Sequence, residues 1–240
     1  MEQNRMLAVK SLRVDVELAL QTGSPTLFHS DAISVNPVGD SEITKQHYSG
    51  TGSVFSDLML DVLSFASLLN GGQKDGRGKL DPLIYTELLV SLIYRLIAVT
   101  GLRQLPKTSR RTHEDVAHLA TLAFMTTLLP RYVSDRCNYI LLSVHLESAI
   151  QDLQAVSTDS KDDIYSLLLW TLFMAGISTL RHKDHRRLSL LIVETCGRLA
   201  LYDWPAVRRQ LYRFPWVYAL HDDPGRSLWE NSQRRSIKMS

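Results

Sequence analysis

His182-Lys183-Asp184-His185 places two imidazoles and a carboxylate within four residues, donor types that suit a transition metal. Arg186 and Arg187 follow directly and their charges repel a cation, so no metal site is expected there. Gly71-Gly72-Gln73-Lys74-Asp75-Gly76-Arg77-Gly78-Lys79 has the look of a phosphate loop. Such a loop needs glycine where Gln73 stands and Ser or Thr where Leu80 stands, so it is read as a surface loop. Gly50-Thr51-Gly52-Ser53 lacks the Gly-x-Ser-x-Gly order of a nucleophile elbow. His113 and His118 are five apart, and His145 and Glu147 two apart; neither spacing shares a helical face. His221-Asp222-Asp223 offers acid–base groups, but Pro224-Gly225 follows and the stretch reads as a turn. No catalytic residue, cofactor-binding residue or metal ligand is assigned, no cofactor is expected, and the chain is read as non-enzymatic.

Helical periodicity dominates the segments around these residues, and strand alternation is nearly absent. Val9, Leu12, Val16, Ala19 and Leu20 form one face of a first helix that ends near Gly23. Residues 22–52 are broken by Pro25, Pro37, Gly39, Gly50 and Gly52 and read as loop, with room for one short helix at Leu27–Ser34. Phe55, Leu58, Val62, Phe65 and Leu69 step three and four apart, a second apolar seam. The run Leu83–Leu102 carries Glu87, Ser91 and Arg95 as one polar stripe and reads as a largely buried helix. Thr112 and Asp115 have the spacing of a capping box for a helix facing inward through Val116, Leu119, Ala120, Ala123, Phe124 and Leu128. Ser160-Lys161-Asp162-Asp163 repeats that spacing. Two later helices follow, one with Leu188, Leu191, Ile192, Thr195 and Leu199 inside, the other with Pro205 in its first turn and Trp204, Val207 and Leu211 inside. The expected fold is all-α: one helical domain over 1–240, of eight or nine mostly antiparallel helices around a hydrophobic central helix at 164–180. Residues 1–53 are expected to pack loosely and 231–240 to form a disordered tail.

That central segment has no charge over Ile164–Leu180. As a helix it would extend about 25 Å, short of a hydrocarbon core of about 30 Å. Its amphipathic neighbours need an apolar partner, so it reads as a buried helix, and no membrane association is expected. Gly176 within it marks a close helix crossing, so a larger residue there is expected to overpack. The 240 residues carry a net charge of +2, with twelve Lys/Arg against six Asp/Glu after Leu180. That basic excess is too small to imply nucleic-acid binding. Cys137 and Cys196 sit in apolar helical patterns and read as buried reduced thiols. Met1-Glu2-Gln3-Asn4-Arg5 lacks the apolar core of a signal peptide, so the chain is expected to work inside the cell.

All four tryptophans lie between residues 164 and 229. Leu168-Leu169-Trp170-Thr171-Leu172-Phe173-Met174-Ala175-Gly176, then Trp204-x-x-Val207-Arg208, Phe214-Pro215-Trp216 and Pro224-Gly225-x-x-Leu228-Trp229 are the notable stretches. Over about residues 163–230 this resembles the C-terminal end of the fungal-specific transcription factor regulatory domain, the helical region downstream of a binuclear zinc-cluster DNA-binding module. The resemblance implies a nuclear domain that regulates transcription through protein partners or a small-molecule effector. Trp170, Phe173, Gly176, Trp204, Phe214, Pro215, Trp216 and Trp229 are its signature residues, serving packing or lining a groove. The six-cysteine cluster is absent, and residues 1–44 carry only Arg5, Lys10 and Arg13, so no direct DNA binding is expected of this chain. Two alternatives stand beside it. One is a helical small-molecule enzyme with an interhelical pocket, requiring two or more of His145, His182, His185, His221, Asp222 and Asp223 to meet in one concavity. The other is a membrane-anchored helical protein.

Overall fold

Chemistry written at the helix ends sets the elements of this computed structural model, which describes residues 2–28, 54–71, 80–103, 111–129, 139–156, 162–179 and 185–237. Among the described residues there are nine helices and no strand. They are α1 (Glu2–Thr22), α2 (Val54–Gly71), α3 (Pro82–Val99), α4 (His113–Leu128), α5 (Ile140–Val156), α6 (Asp162–Ser178), α7 (His185–Arg198), α8 (Trp204–Leu211) and α9 (Tyr218–Ile237). Asp81 opens α3 by accepting from the Leu83 and Ile84 amides at 2.9 and 3.1 Å. Thr112 and Asp115 form the expected capping box: the carboxylate accepts from the Thr112 amide at 2.8 Å and Thr112 Oγ1 from the Asp115 amide at 3.1 Å. Asp203 caps α8 through the Ala206 amide at 2.7 Å, with proline in the first turn. Gly23 ends α1 at φ +68°, a left-handed conformation that favours glycine.

The chain gathers into two compact units, where the sequence predicts one domain. The first comprises 1–107 with 128–141, and the second 108–127 with 142–240. In the first, α3 packs against α1 and α2. The expected inward faces are buried, Val9, Leu12, Val16, Ala19 and Leu20 of α1 and Phe55, Leu58, Val62 and Phe65 of α2, except that Leu69 of α2 is half-buried. Two members of the polar stripe of α3 form ion pairs, and the third, Ser91, is buried. Glu87 is buried and accepts from the Arg5 guanidinium at 2.6 Å, and Arg95 meets Asp61 at 2.6 Å. Asp15, also buried, accepts from Tyr94 at 2.6 Å and from the Leu27 amide at 2.9 Å. The α1 carboxylate thus pins the bend at residues 27–28. Residues 2–28 are therefore fastened to this unit, whereas the rest of the segment expected to be loose lies outside the described residues.

In the second unit α6 touches α7, α8 and α9. Ser166–Ala175 of α6 is buried without interruption. Among the described residues, the two helices long and apolar enough to cross a membrane by length and composition are α2 and α3, with mean hydropathy 1.3 and 1.6. The sequence singles out α6 instead. Half of the α3 residues are buried in the protein. Two local expectations need correction. His221–Gly225 is not a turn: it lies inside α9. The expected disordered tail is helical as far as Ile237, with Ser232 fully buried. The possible short helix after Phe28, the elbow-like Gly50–Ser53, the loop 72–79, Cys137, the cap at Ser160 and the metal-like His182-Lys183-Asp184 all lie outside the described residues.

Candidate functional site

The signature residues of the C-terminal third come together in the second unit. Trp170 of α6 is fully buried and stacks on Phe214, centroids 5.0 Å apart and planes 8° off parallel. Its indole N–H donates to the Pro215 carbonyl at 3.2 Å, so the Phe214-Pro215 link is fixed to α6 by both ring and backbone. Phe173, one turn along α6, meets Trp204 at 6.2 Å and the edge of Trp216 at 6.4 Å. Trp204 in turn meets Trp229 of α9 at 6.5 Å. Such ring pairs contribute about 0.5–1.5 kcal/mol each beyond the area they bury. Trp170 and Trp216 are sealed in, whereas Trp204, Phe214 and Trp229 are half-buried. Trp229 Nε1 is itself buried and has no hydrogen-bond partner.

Gly225 belongs to the same cluster, although the sequence gives it a turn role. A Cβ there would lie 3.0 Å from one Trp216 ring carbon and 3.1 Å from a Trp204 ring carbon. The bare backbone of α9 is thus the surface on which two indoles rest. Gly176 plays a related part on α6: a Cβ would lie 2.6 Å from Leu228 Cδ2 and 3.0 Å from Leu188 Cδ2. Those are ends of flexible side chains, so alanine has room after small adjustments. Gly176→Leu is expected to cost about 1–3 kcal/mol by overpacking. A thermal melt unchanged from the parent chain would show that the helices do not cross closely there.

The groups able to do chemistry beside the cluster are engaged in holding it. Asp222 accepts from the Trp216 indole at 2.8 Å, from Tyr212 at 3.1 Å and from Arg208 at 2.5 Å. Arg208 also lies over the Tyr212 ring, 4.9 Å from its centroid. Burial first, then the Asp222 charge, pushes the Tyr212 phenol up, so it stays protonated and donating. His221 is fully buried between Phe124 and Trp216, with centroids 5.4 and 5.2 Å away. Its Nδ1 accepts from the Val217 amide at 2.9 Å. That leaves the ring proton on Nε2, which faces Thr127 Oγ1 at 2.7 Å, and Thr127 passes its own proton to the Phe124 carbonyl at 2.6 Å. Burial pushes the His221 pKa down to about 4.

The enzyme alternative required two or more of six residues to meet in one concavity. His221 and Asp222 are neighbours, but both are saturated by protein partners. Asp223 is exposed. His145 is buried on α5, where Nδ1 faces Arg111 at 2.9 Å. Arg111 is itself buried and reaches Asp152 at 3.5 Å. His182 and the side chain of His185 lie outside the described residues. Cys196 is buried and unbridged, its thiol pushed up to about 12 by burial, an unreactive state. Among the described residues no group of three or more His, Cys, Asp or Glu side chains is placed to hold a metal. Sequence reasoning missed Gly225, His221 and Asp222 as parts of the cluster, because Asp-Asp-Pro-Gly reads locally as a turn. The four-residue step from Val217 to His221 was the signal available. No family model, curated protein or solved structure matches the chain, and what the site does must come from its own geometry.

Proposed function

We propose that this chain is a non-enzymatic regulatory domain of the fungal transcription factor type, working in the nucleus through protein partners or a small-molecule effector. The observation that supports the reading is the ring packing of Phe173, Trp204, Trp216 and Trp229, with Trp170, on the same helix as Phe173, stacked on Phe214. The residues that carry the resemblance are thus tertiary packing, and the acid–base groups among them are used to hold it. A protein-contact role also has a candidate surface. Leu7, Val14 and Leu18 are exposed on one side of α1, seven and four residues apart. DNA recognition would come from another module, because the chain carries neither a six-cysteine cluster nor a basic arm in residues 1–44.

The test is to tether the full chain to an unrelated DNA-binding module upstream of a reporter. Reporter output is expected to change with the tethered chain and to stay at background with the untethered one. A purified, untethered chain that gives a sequence-selective gel shift surviving about 200 mM salt would overturn the reading, since non-specific phosphate contacts weaken steeply there. A reporter indifferent to the tethered chain would overturn it as well.

A further inference from the structure

α6, α7 and α9 leave a cleft of about 260 Å³ between them. Gly176 and Leu228 give it apolar lining, and Ser189, Ser227, Asn231 and Arg235 give it polar lining. Ser227, Asn231 and Arg235 step four residues apart, one row down α9. Ser189 faces them from α7 and is buried. Among the described residues, none of these four side chains forms a hydrogen bond or ion pair with the protein. Neighbouring arginines of α9 differ in this respect: Arg226 and Arg234 both bind Glu230, at 2.8 and 3.7 Å. Arg235 has no such partner, and no acidic residue lines the cleft.

The geometry points to a binding site in this cleft for a small monocarboxylate with a short apolar body. A guanidinium is permanently charged, and its planar fork matches a carboxylate through two parallel hydrogen bonds. Only one cationic group is present, which suits a single negative charge and not a polyphosphate. Ser189, Ser227 and Asn231 supply uncharged donors and acceptors for a polar substituent, and Leu228 with the bare Gly176 backbone takes the apolar part. The volume lies just below the roughly 300–1,000 Å³ of drug-sized pockets, so the ligand is small. The inference rests on the effector part of the proposed function and specifies the effector's chemistry.

The test uses the full chain labelled with ¹⁵N, with benzoate as probe and benzamide as its uncharged counterpart. Benzoate is expected to shift the backbone signals of Ser189, Ser227, Leu228 and Asn231 with a Kd in the millimolar range, the strength a few apolar atoms and one ion pair provide. Benzamide is expected to bind about tenfold more weakly, for want of the charge-assisted pair. Arg235→Gln should erase that preference, and Ser227→Phe, filling the mouth from an exposed position, should weaken both probes. Unchanged thermal melts of the two variants would show that folding is not the cause. Signals unmoved by benzoate at about 20 mM would overturn the proposal, as would an Arg235→Gln variant that binds benzoate like the parent. Displacement of benzoate by equimolar inorganic phosphate would overturn it too, since the cleft would then read charge alone. A cleft that ignores benzoate leaves the reporter result standing, and a silent reporter leaves benzoate binding standing.

Discussion

Gly225→Leu is expected to lower the stability of the C-terminal unit by about 3 kcal/mol, the upper end of overpacking costs, a drop of about 6–12 °C in its thermal transition. The cause is steric. Any Cβ at 225 would stand 3.0–3.1 Å from ring carbons of Trp216 and Trp204, tighter than ordinary van der Waals contact. Neither indole can give way freely. Trp216 is tied by its N–H to Asp222 and packed edge-on to Phe173, and Trp204 is wedged between Phe173 and Trp229. Alanine at 225 is the sharper test. In an open helix Gly→Ala stabilises by about 1 kcal/mol. Gly197 of α7 supplies that reference, because a Cβ added there would meet nothing within 4 Å. Gly197→Ala should raise the melting temperature and Gly225→Ala should lower it. If the two variants moved together, the rings would not be resting on the Gly225 backbone.

Acidification should destabilise the same unit between about pH 6.5 and pH 4 through His221. Burial holds the folded imidazole at about 4, against about 6.5 when unfolded. Above pH 6.5 both states carry the neutral ring and the group contributes no pH dependence. As pH falls below 6.5 the unfolded chain takes up a proton that the folded chain refuses, so folding is penalised progressively. Below pH 4 both states are protonated and the penalty stops growing. Its full size is on the order of 3 kcal/mol. The geometry agrees with the direction: a second ring proton would have to sit on Nδ1, where it would displace the Val217 amide. Urea denaturation across that range should show the loss, and His221→Gln, which cannot titrate, should flatten that part of the profile while lowering stability at neutral pH. A parent chain as stable at pH 4.5 as at pH 7 would contradict a neutral buried ring.

The helices were largely legible in the sequence because their evidence is local. Thr112 and Asp115 sit three apart and bond as that spacing requires. Leu142, Leu146, Ile150 and Leu153 of α5 recur at helical intervals and are buried. Arg186, Arg187, Glu194 and Arg198 lie on the opposite side of α7 and are exposed. What failed was the stretch His221–Gly225. Asp-Asp-Pro-Gly has strong turn propensity, but Asp222 gains three donors and His221 two partners only if the chain is helical there. Pro224 is tolerable because the carbonyl it leaves without a helical donor belongs to Leu220, in the exposed first turn. Those partners come from α4, α8 and the Pro215 link, up to about ninety residues away, and no local pattern announces them. The pairing of Glu87 with Arg5, 82 residues apart, was hidden for the same reason.

The division of the chain into 1–107 with 128–141, and 108–127 with 142–240, bears on how the protein can be made and cut. Neither unit is a continuous stretch, so no single truncation point yields one of them complete and free of the other's residues. A chain stopped after Lys107 lacks the fourteen residues Leu128–Leu141 that complete the first unit. Gly23 illustrates the loss, since its nearest outside neighbour is the Leu141 side chain. During synthesis the first unit must wait for Leu141 to emerge, a few seconds after Lys107 at about 5–20 residues per second. Within that interval residues 108–127, which include most of α4, emerge with their apolar face uncovered, because the rest of their unit, 142–240, follows later. The cell meets this protein first as an unfinished core, and chaperone binding during translation should concentrate in that window.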